Sequence, residues 1–186
     1  MSGAAVTINR APVLALWGAV VAERLGFARD EALTLGKAVA GLNAQSKGRA
    51  LGLFTPAGRA GTTRRKRELA PGEKLEVELF QRAIPAVRTP EGVRALHGGK
   101  PMSPESVERY LEAKFKDSLG DVRAAMESLA ESLDAAELAA VAYSLYEEFR
   151  PAIPAGTKGW GKPGVLDLER IRSRARPGAG GRGRGT

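Results

Sequence analysis

The first third of the chain carries two stretches with the spacing of amphipathic helices. In the first stretch, apolar residues recur every three or four positions and stop at Gly26, a residue type that often ends helices in a left-handed conformation. The second stretch begins at Asp30, which can cap a helix, and ends near Leu42. The pattern predicts two helices joined by a short turn. A loop rich in Gly, Ser, Thr, Lys and Arg follows over residues 43–72. A continuation of the helix through residues 51–54 is the alternative for that part of the loop.

One segment alternates between apolar and acidic residues, as a half-buried strand does. Residues 75–79 read Leu-Glu-Val-Glu-Leu and follow a Pro-Gly turn. Residues 84–87 are a candidate partner strand, and Pro85 restricts them to a sheet edge because proline donates no backbone hydrogen bond. The prolines and glycines of residues 90–101 predict an irregular stretch.

Residues 103–150 carry the strongest helical pattern of the chain. Ser103, followed by proline and glutamate, combines a capping side chain, a first-turn proline and an early acid. Apolar residues then recur at helical spacing as far as Phe149, with an interruption at Gly120 and a new capping signal at Asp134. The pattern predicts two or three antiparallel helices with short joints.

The predicted fold class is mainly α: a helical N-terminal corner, a small β element, antiparallel C-terminal helices and a disordered basic tail. The parts are a helical corner with a basic strip (1–68), a short β or irregular connector (69–102), an acidic helical part (103–150), a Gly-rich loop with a short helix (151–176) and an Arg/Gly tail (177–186). The tail has no apolar residues to bury, which is typical of disorder. We expect the helical parts to share one core, because each alone is small.

The composition excludes several kinds of chemistry. The 186 residues include no cysteine and one histidine, His97. Disulfides, thiolate metal sites and multi-histidine metal sites are therefore excluded. Residues 159–164 match G-x-G-x-x-G, but no predicted strand precedes them and Pro163 removes a donor from the turn. We expect no metal, no cofactor and no enzymatic activity. The longest apolar run, residues 11–22, is too short to span a bilayer, so a soluble, cytoplasmic protein without membrane contact is expected.

The net charge of +8 is distributed unevenly. Residues 37–67 contain eight bases and no acid, residues 101–150 contain five bases and eleven acids, and residues 151–186 contain eight bases and two acids. Solvated surfaces usually mix the two signs, so the acid-free strip favours contact with phosphates. The opposite charges of residues 151–186 and residues 101–150 also predict a weak contact between the basic tail and the acidic helical part, and a tail that touches nothing is the alternative.

Residues 20–42 resemble the helix-turn-helix segment of bacterial DNA-binding regulators. That segment has a small residue, a glycine four positions later and a small or branched residue six positions further, which Ala22, Gly26 and Ala32 match. A steep helix crossing leaves room for only a small side chain at Ala22, and the sharp turn needs Gly26. The resemblance implies DNA contact through the second helix, although acids at positions 30 and 31 depart from what phosphate contact requires. A purely structural corner between two helices is the alternative.

These observations predict a nucleic-acid-binding protein, regulatory or nucleoid-associated, with DNA favoured over RNA as the partner. The alternative is a helical protein-interaction or scaffold module. The Gly-Arg repeats at the C-terminus look like the Arg-Gly segments of RNA-binding proteins. The predicted nucleic-acid contacts are Arg29, Thr34, Lys37, Lys47, Arg49, Arg59, Arg64, Arg65, Lys66, Arg67, Arg172, Arg174, Arg176, Arg182 and Arg184. The oligomeric state stays open.

Overall fold

The computed structural model describes residues 5–50, 73–152 and 163–175, with the backbone alone for residues 43–50. The described chain is mainly α with a small antiparallel sheet. Its helices are α1 (Arg10–Arg24), α2 (Arg29–Ala50), α3 (Pro104–Phe115), α4 (Leu119–Glu131), α5 (Ala135–Phe149) and α6 (Leu168–Ala175). Its strands are β1 (Ala5–Ile8), β2 (Lys74–Leu79), β3 (Arg82–Thr89), β4 (Gly92–His97), β5 (Lys100–Pro101) and β6 (Gly164–Asp167). None of the helices in these ranges is long and apolar enough to cross a membrane.

The first two helices form an antiparallel hairpin, and α1 is buried along most of its length. Every residue of α1 from Pro12 to Ala22 is buried. The two helices meet where Gly18 faces Gly36. The second helix is longer than the hydrophobic pattern predicts, since it continues without a break to Ala50. The expected loop at residue 43 was therefore wrong, because residues 43–50 are mostly compatible with a helix once its first turns are held by packing.

Strands β2 to β5 form a four-stranded sheet in the order β2-β3-β4-β5, with antiparallel neighbours. Strand β2 confirms the alternating pattern, because Val77 and Leu79 are buried and the glutamates before each of them, Glu76 and Glu78, are exposed. Strand β3 is not at an edge, contrary to the expectation from Pro85. Only residues 86–89 of β3 pair with β4. Pro85 lies just before them, so its missing backbone N–H costs no hydrogen bond to β4.

Strand β4 occupies part of the stretch that was expected to be irregular. The glycines of this stretch serve the turns around the strand: Gly92, Gly98 and Gly99 all have positive φ angles. They allow tight reversals on either side of β4 and do not interrupt it.

The C-terminal helices begin where the capping signals predict. Ser103 accepts a hydrogen bond from the Ser106 amide at 3.2 Å, and Asp134 accepts one from the Glu137 amide at 2.8 Å. The break between α3 and α4 lies at a short 3-10 turn, Lys116–Ser118, and not at Gly120. Strands β1 and β6 pair antiparallel, which the sequence pattern does not predict, and α6 follows β6 directly.

One hydrophobic cluster takes residues from all six helices and from the sheet. Trp17 is fully buried in this cluster, and its indole N–H donates to the carbonyl of Ala142 in α5 at 2.9 Å. Its ring also packs edge-on against Phe149 with the centroids 5.3 Å apart. The N-terminal and C-terminal helical parts therefore share one core.

Candidate nucleic-acid interface

The predicted contact residues fall into three groups. Those with described side chains are Arg29, Thr34, Lys37, Arg172 and Arg174. Lys47 and Arg49 belong to the last turns of α2, where the backbone is described. The remaining eight lie outside the described residues: Arg59, Arg64, Arg65, Lys66, Arg67, Arg176, Arg182 and Arg184.

Thr34 is not a nucleic-acid contact in this fold, which corrects the prediction. Its side chain is fully buried. The hydroxyl donates to the Glu31 carbonyl at 3.1 Å and accepts from the Ala95 amide at 3.0 Å. Glu31 in turn accepts from the Val93 amide at 2.9 Å. Helix α2 therefore lies along the part of β4 that the two-residue strand β5 does not reach, and its side chains accept the hydrogen bonds that a longer neighbouring strand would accept.

Arg29 and Lys37 both face helix α3. A carboxylate oxygen of Glu108 lies 2.9 Å from Nη2 of Arg29, which partly neutralises this exposed arginine. The ammonium of Lys37 lies 4.7 Å from the centre of the Tyr110 ring, a cation–π contact. Partial burial lowers the pKa of Lys37. These contacts hold α2 against α3.

The turn between α1 and α2 lies where the sequence pattern puts it. Ala22 is fully buried, and its carbonyl accepts a hydrogen bond from the Phe27 amide at 3.0 Å. Gly26 has φ +115°, in the region that favours glycine. Both residues serve the local geometry of the hairpin.

The arginine run of α6 lies against acidic side chains. Nε of Arg174 is 2.8 Å from a carboxylate oxygen of Glu148, and Nη1 of Arg172 is 2.9 Å from one of Glu169. Arg170 donates to the carbonyl of Glu148 at 3.3 Å. Since Glu148 belongs to the acidic helical part, these contacts join the first arginines of the C-terminal basic region to that part of the chain.

Two further arginines meet where α1 begins and α5 ends, and the charge pattern did not single them out. Nε of Arg10 donates to the carbonyl of Pro151 at 2.9 Å, and the Tyr146 hydroxyl donates to the carbonyl of Arg10 at 3.4 Å. The guanidinium carbon of Arg150 lies 5.9 Å from the centre of the Tyr146 ring. Burial raises the pKa of Tyr146 well above its usual range, so the hydroxyl stays protonated. The one feature of the sequence that could have indicated this pair of arginines is that the first turn of α1 contains no acid.

The described part of the chain is close to neutral. Residues 5–50, 73–152 and 163–175 contain 19 bases and 20 acids. The other segments, 1–4, 51–72, 153–162 and 176–186, contain ten bases and one acid. The basic excess of the protein therefore belongs to three segments that interrupt or follow the described fold.

Metal chemistry has no visible site in the ranges that the structure describes, since no group of three or more His, Cys, Asp or Glu side chains comes together there. Comparison with known proteins yields no matching family model, no matching curated protein and no matching solved structure.

Proposed function

We propose that this protein binds nucleic acid, with duplex DNA as the preferred partner, through contacts to backbone phosphates. The observation that carries the proposal is the separation of charge between the near-neutral ranges that the structure describes and three basic segments outside them. Charge that served only solubility has no reason to collect in this way. A polyanion, in contrast, gains affinity from clustered lysines and arginines because each phosphate contact releases condensed counterions.

The basic segments begin at the same end of the fold. Helix α2 runs antiparallel to α1, and from the crossing at Gly36 it extends about 21 Å to Ala50, whereas α1 extends about 12 Å from Gly18 back to its start. The segment 51–72 therefore begins beyond the start of α1. Segment 153–162 begins beside Pro151, which accepts the hydrogen bond from Arg10.

The C-terminal segment begins two residues after Arg174, which pairs with Glu148 near the end of α5. We call this region, where α1 begins, α5 ends and the three basic segments start, the basic end. We propose that the phosphates of the nucleic acid contact the basic end and the cations of segments 51–72 and 176–186. Lys47 and Arg49 at the end of α2 belong to the same set of contacts. The proposal does not need the face of α2 around Thr34, which is buried against β4.

Titration of a labelled duplex with the full chain tests the proposal. We expect micromolar-range affinity at about 50 mM salt that falls steeply toward about 200 mM. Reversal of Arg64, Arg65 and Arg67 to Glu should weaken binding strongly and make the salt dependence shallower by about three phosphate contacts. Its matched control reverses three exposed bases that lie outside the basic segments: Lys100, Arg109 and Lys114. Absence of binding by the wild-type chain at low salt refutes the proposal.

A specific observation also supports the second candidate, a protein-interaction module. A half-open cavity of about 330 Å³ lies between the end of α1, the β2–β3 turn and α5. Its lining is apolar at Val21, Leu25 and Leu79, and the alanines of α5 leave it open. A partner bound in such a cavity gains affinity from apolar burial, so salt changes its affinity little. The steepness of the salt dependence separates the two candidates.

A further inference from the structure

We infer that Arg10 and Arg150 form a phosphate-binding site at the basic end. The inference rests on the proposed function and deepens it, because it names the contact that the described fold itself offers to a nucleic-acid backbone. The ligand class is a tetrahedral phosphate oxyanion, held by two guanidinium groups and the amino end of a helix.

Rigid elements position both guanidinium groups. Arg10 is the first residue of α1, and its Nε is fixed by the bond to Pro151, which leaves the two Nη groups without an acceptor among the described residues. Arg150 follows the last residue of α5 and lies over the Tyr146 ring. Since the Tyr146 hydroxyl bonds to the Arg10 backbone, one buried tyrosine ties the two arginine positions together. Fixed donors lose less conformational entropy when they bind a ligand.

The positive charge at this site is not compensated within the described fold. Neither Arg10 nor Arg150 takes part in an ion pair there. Of the nearby acids, Glu148 is engaged by Arg174, and Glu147 lies on the exposed side of α5. Burial and the positive charge of Arg150 lower the pKa of Arg10, whereas a bound anion would favour the charged form of both groups.

The start of α1 adds donors of its own. The first turns of a helix leave backbone N–H groups without partners inside the helix, and the helix dipole is positive there. The first turn of α1 contains no acid, and the amides that start the helix are those of Arg10, Ala11 and Val13, since Pro12 has no backbone N–H. Phosphate at a helix start beside two arginines is a favourable arrangement, because guanidinium groups bind phosphate oxygens through paired hydrogen bonds.

Replacement of Arg150 in the full chain is the first test. Arg150→Gln removes one guanidinium and leaves the bond between Arg10 and Pro151 in place. We expect it to weaken duplex binding several-fold at about 50 mM salt and to reduce the salt dependence by about one phosphate contact. Arg109→Gln removes the same charge from an exposed position on α3 and should leave both quantities close to the wild type. Thermal unfolding of each variant shows whether it is folded.

A second test uses the wild-type chain, so that it does not depend on a variant. Inorganic phosphate and pyrophosphate are titrated while the side-chain Nε–Hε resonances of the arginines are followed by NMR. We expect the resonances of Arg10 and Arg150 to shift together and with one saturable midpoint, and that of Arg109 to stay unchanged. Together with the duplex titration, this arm separates the ligand sources, since a site for free phosphate compounds binds pyrophosphate while Arg150→Gln leaves duplex binding unchanged.

The outcomes distinguish this inference from the proposed function. If Arg150→Gln and Arg109→Gln weaken duplex binding equally and phosphate shifts no resonance of Arg10, the site is refuted while binding through the basic segments stands. If the wild-type chain binds no duplex and phosphate still shifts both resonances, the proposed function fails and the site stands for a free phosphate compound. If neither arm responds, both are refuted.

Discussion

Gly18 and Gly36 face each other at the crossing of the first two helices, so closely that a Cβ atom built on Gly18 would lie 2.8 Å from the Cα of Gly36. A Cβ on Gly36 would lie 2.5 Å from the amide nitrogen of Ala19. Backbone atoms cannot yield as a flexible side chain does. The two glycines therefore set the separation of α1 and α2, and with it the position of Ala50, from which the first basic segment starts.

Gly36→Ala should destabilise the protein by about 1–3 kcal/mol, because the added methyl group overpacks a backbone-to-backbone contact. Gly41→Ala is the matched control on the same helix, since a Cβ there meets nothing within 4 Å. The control should be neutral or stabilising by up to about 1 kcal/mol, as alanine favours the helix. Urea unfolding of both variants measures the difference, and equal effects would contradict the close crossing.

Thr34→Val should destabilise the protein by about 1–3 kcal/mol, because it leaves the Ala95 amide of β4 without an acceptor. Thr34→Ser keeps the hydroxyl and should recover most of this loss. Hydrogen exchange at the Ala95 amide supplies a local readout: it should become faster in the valine variant and stay slow in the serine variant. An unchanged exchange rate in Thr34→Val would show that α2 does not seal the edge of the sheet.

Gly26→Ala should lower the stability by about 1 kcal/mol, because φ +115° is unfavourable for any residue with a Cβ atom. The cause is conformational and not steric, since nothing lies within 4 Å of an added Cβ at Gly26. Gly120→Ala is the control, as its surroundings are equally open and its φ is not positive. An equal fall of the melting temperature in both variants would show that the positive φ angle of Gly26 is not the cause.

Glu31 should make stability depend on pH in the acid range. Hydrogen bonds from the Val93 and Ala28 amides lower the pKa of Glu31 from its ordinary value of 4.5. The folded state thus binds a proton at Glu31 less readily than the unfolded state, so this stabilisation is complete above pH 4.5 and is lost as the pH falls through the folded pKa. Glu31→Gln should flatten the fall of the melting temperature below that pH, and an identical acid profile would disprove the assignment.

Some elements were predictable because their signals are local. The strand at Lys74–Leu79 follows from alternation alone, and the starts of α3 and α5 follow from caps that bond to an amide three residues ahead. Strand β4 could not be found in the same way. Its short apolar run lies between glycines that resemble loop residues until β3 supplies a partner strand and α2 supplies side-chain acceptors.

The candidate site also combines features that are visible in the sequence with features that depend on tertiary contacts. Clustering of positive charge is a property of the order of residues, so the basic segments were evident without a structure. Thr34 is indistinguishable from an exposed helix threonine until the edge of β4 is placed against it. Arg10 and Arg150 lie far apart along the chain, and each is an unremarkable single base until α1 and α5 bring them together around Tyr146.

The sequence by itself determined the mainly helical class, the turn at Gly26 and the uneven distribution of positive charge, because these depend on neighbouring residues and on sums over the chain. The tertiary structure alone decided which polar groups form hydrogen bonds inside the fold and which remain exposed to solvent. That division depends on contacts between residues distant along the chain, such as Thr34 with Ala95 and Arg10 with Pro151. Burial makes an unpaired polar group costly, so the packing of the helices and the sheet assigns each of these groups its partner.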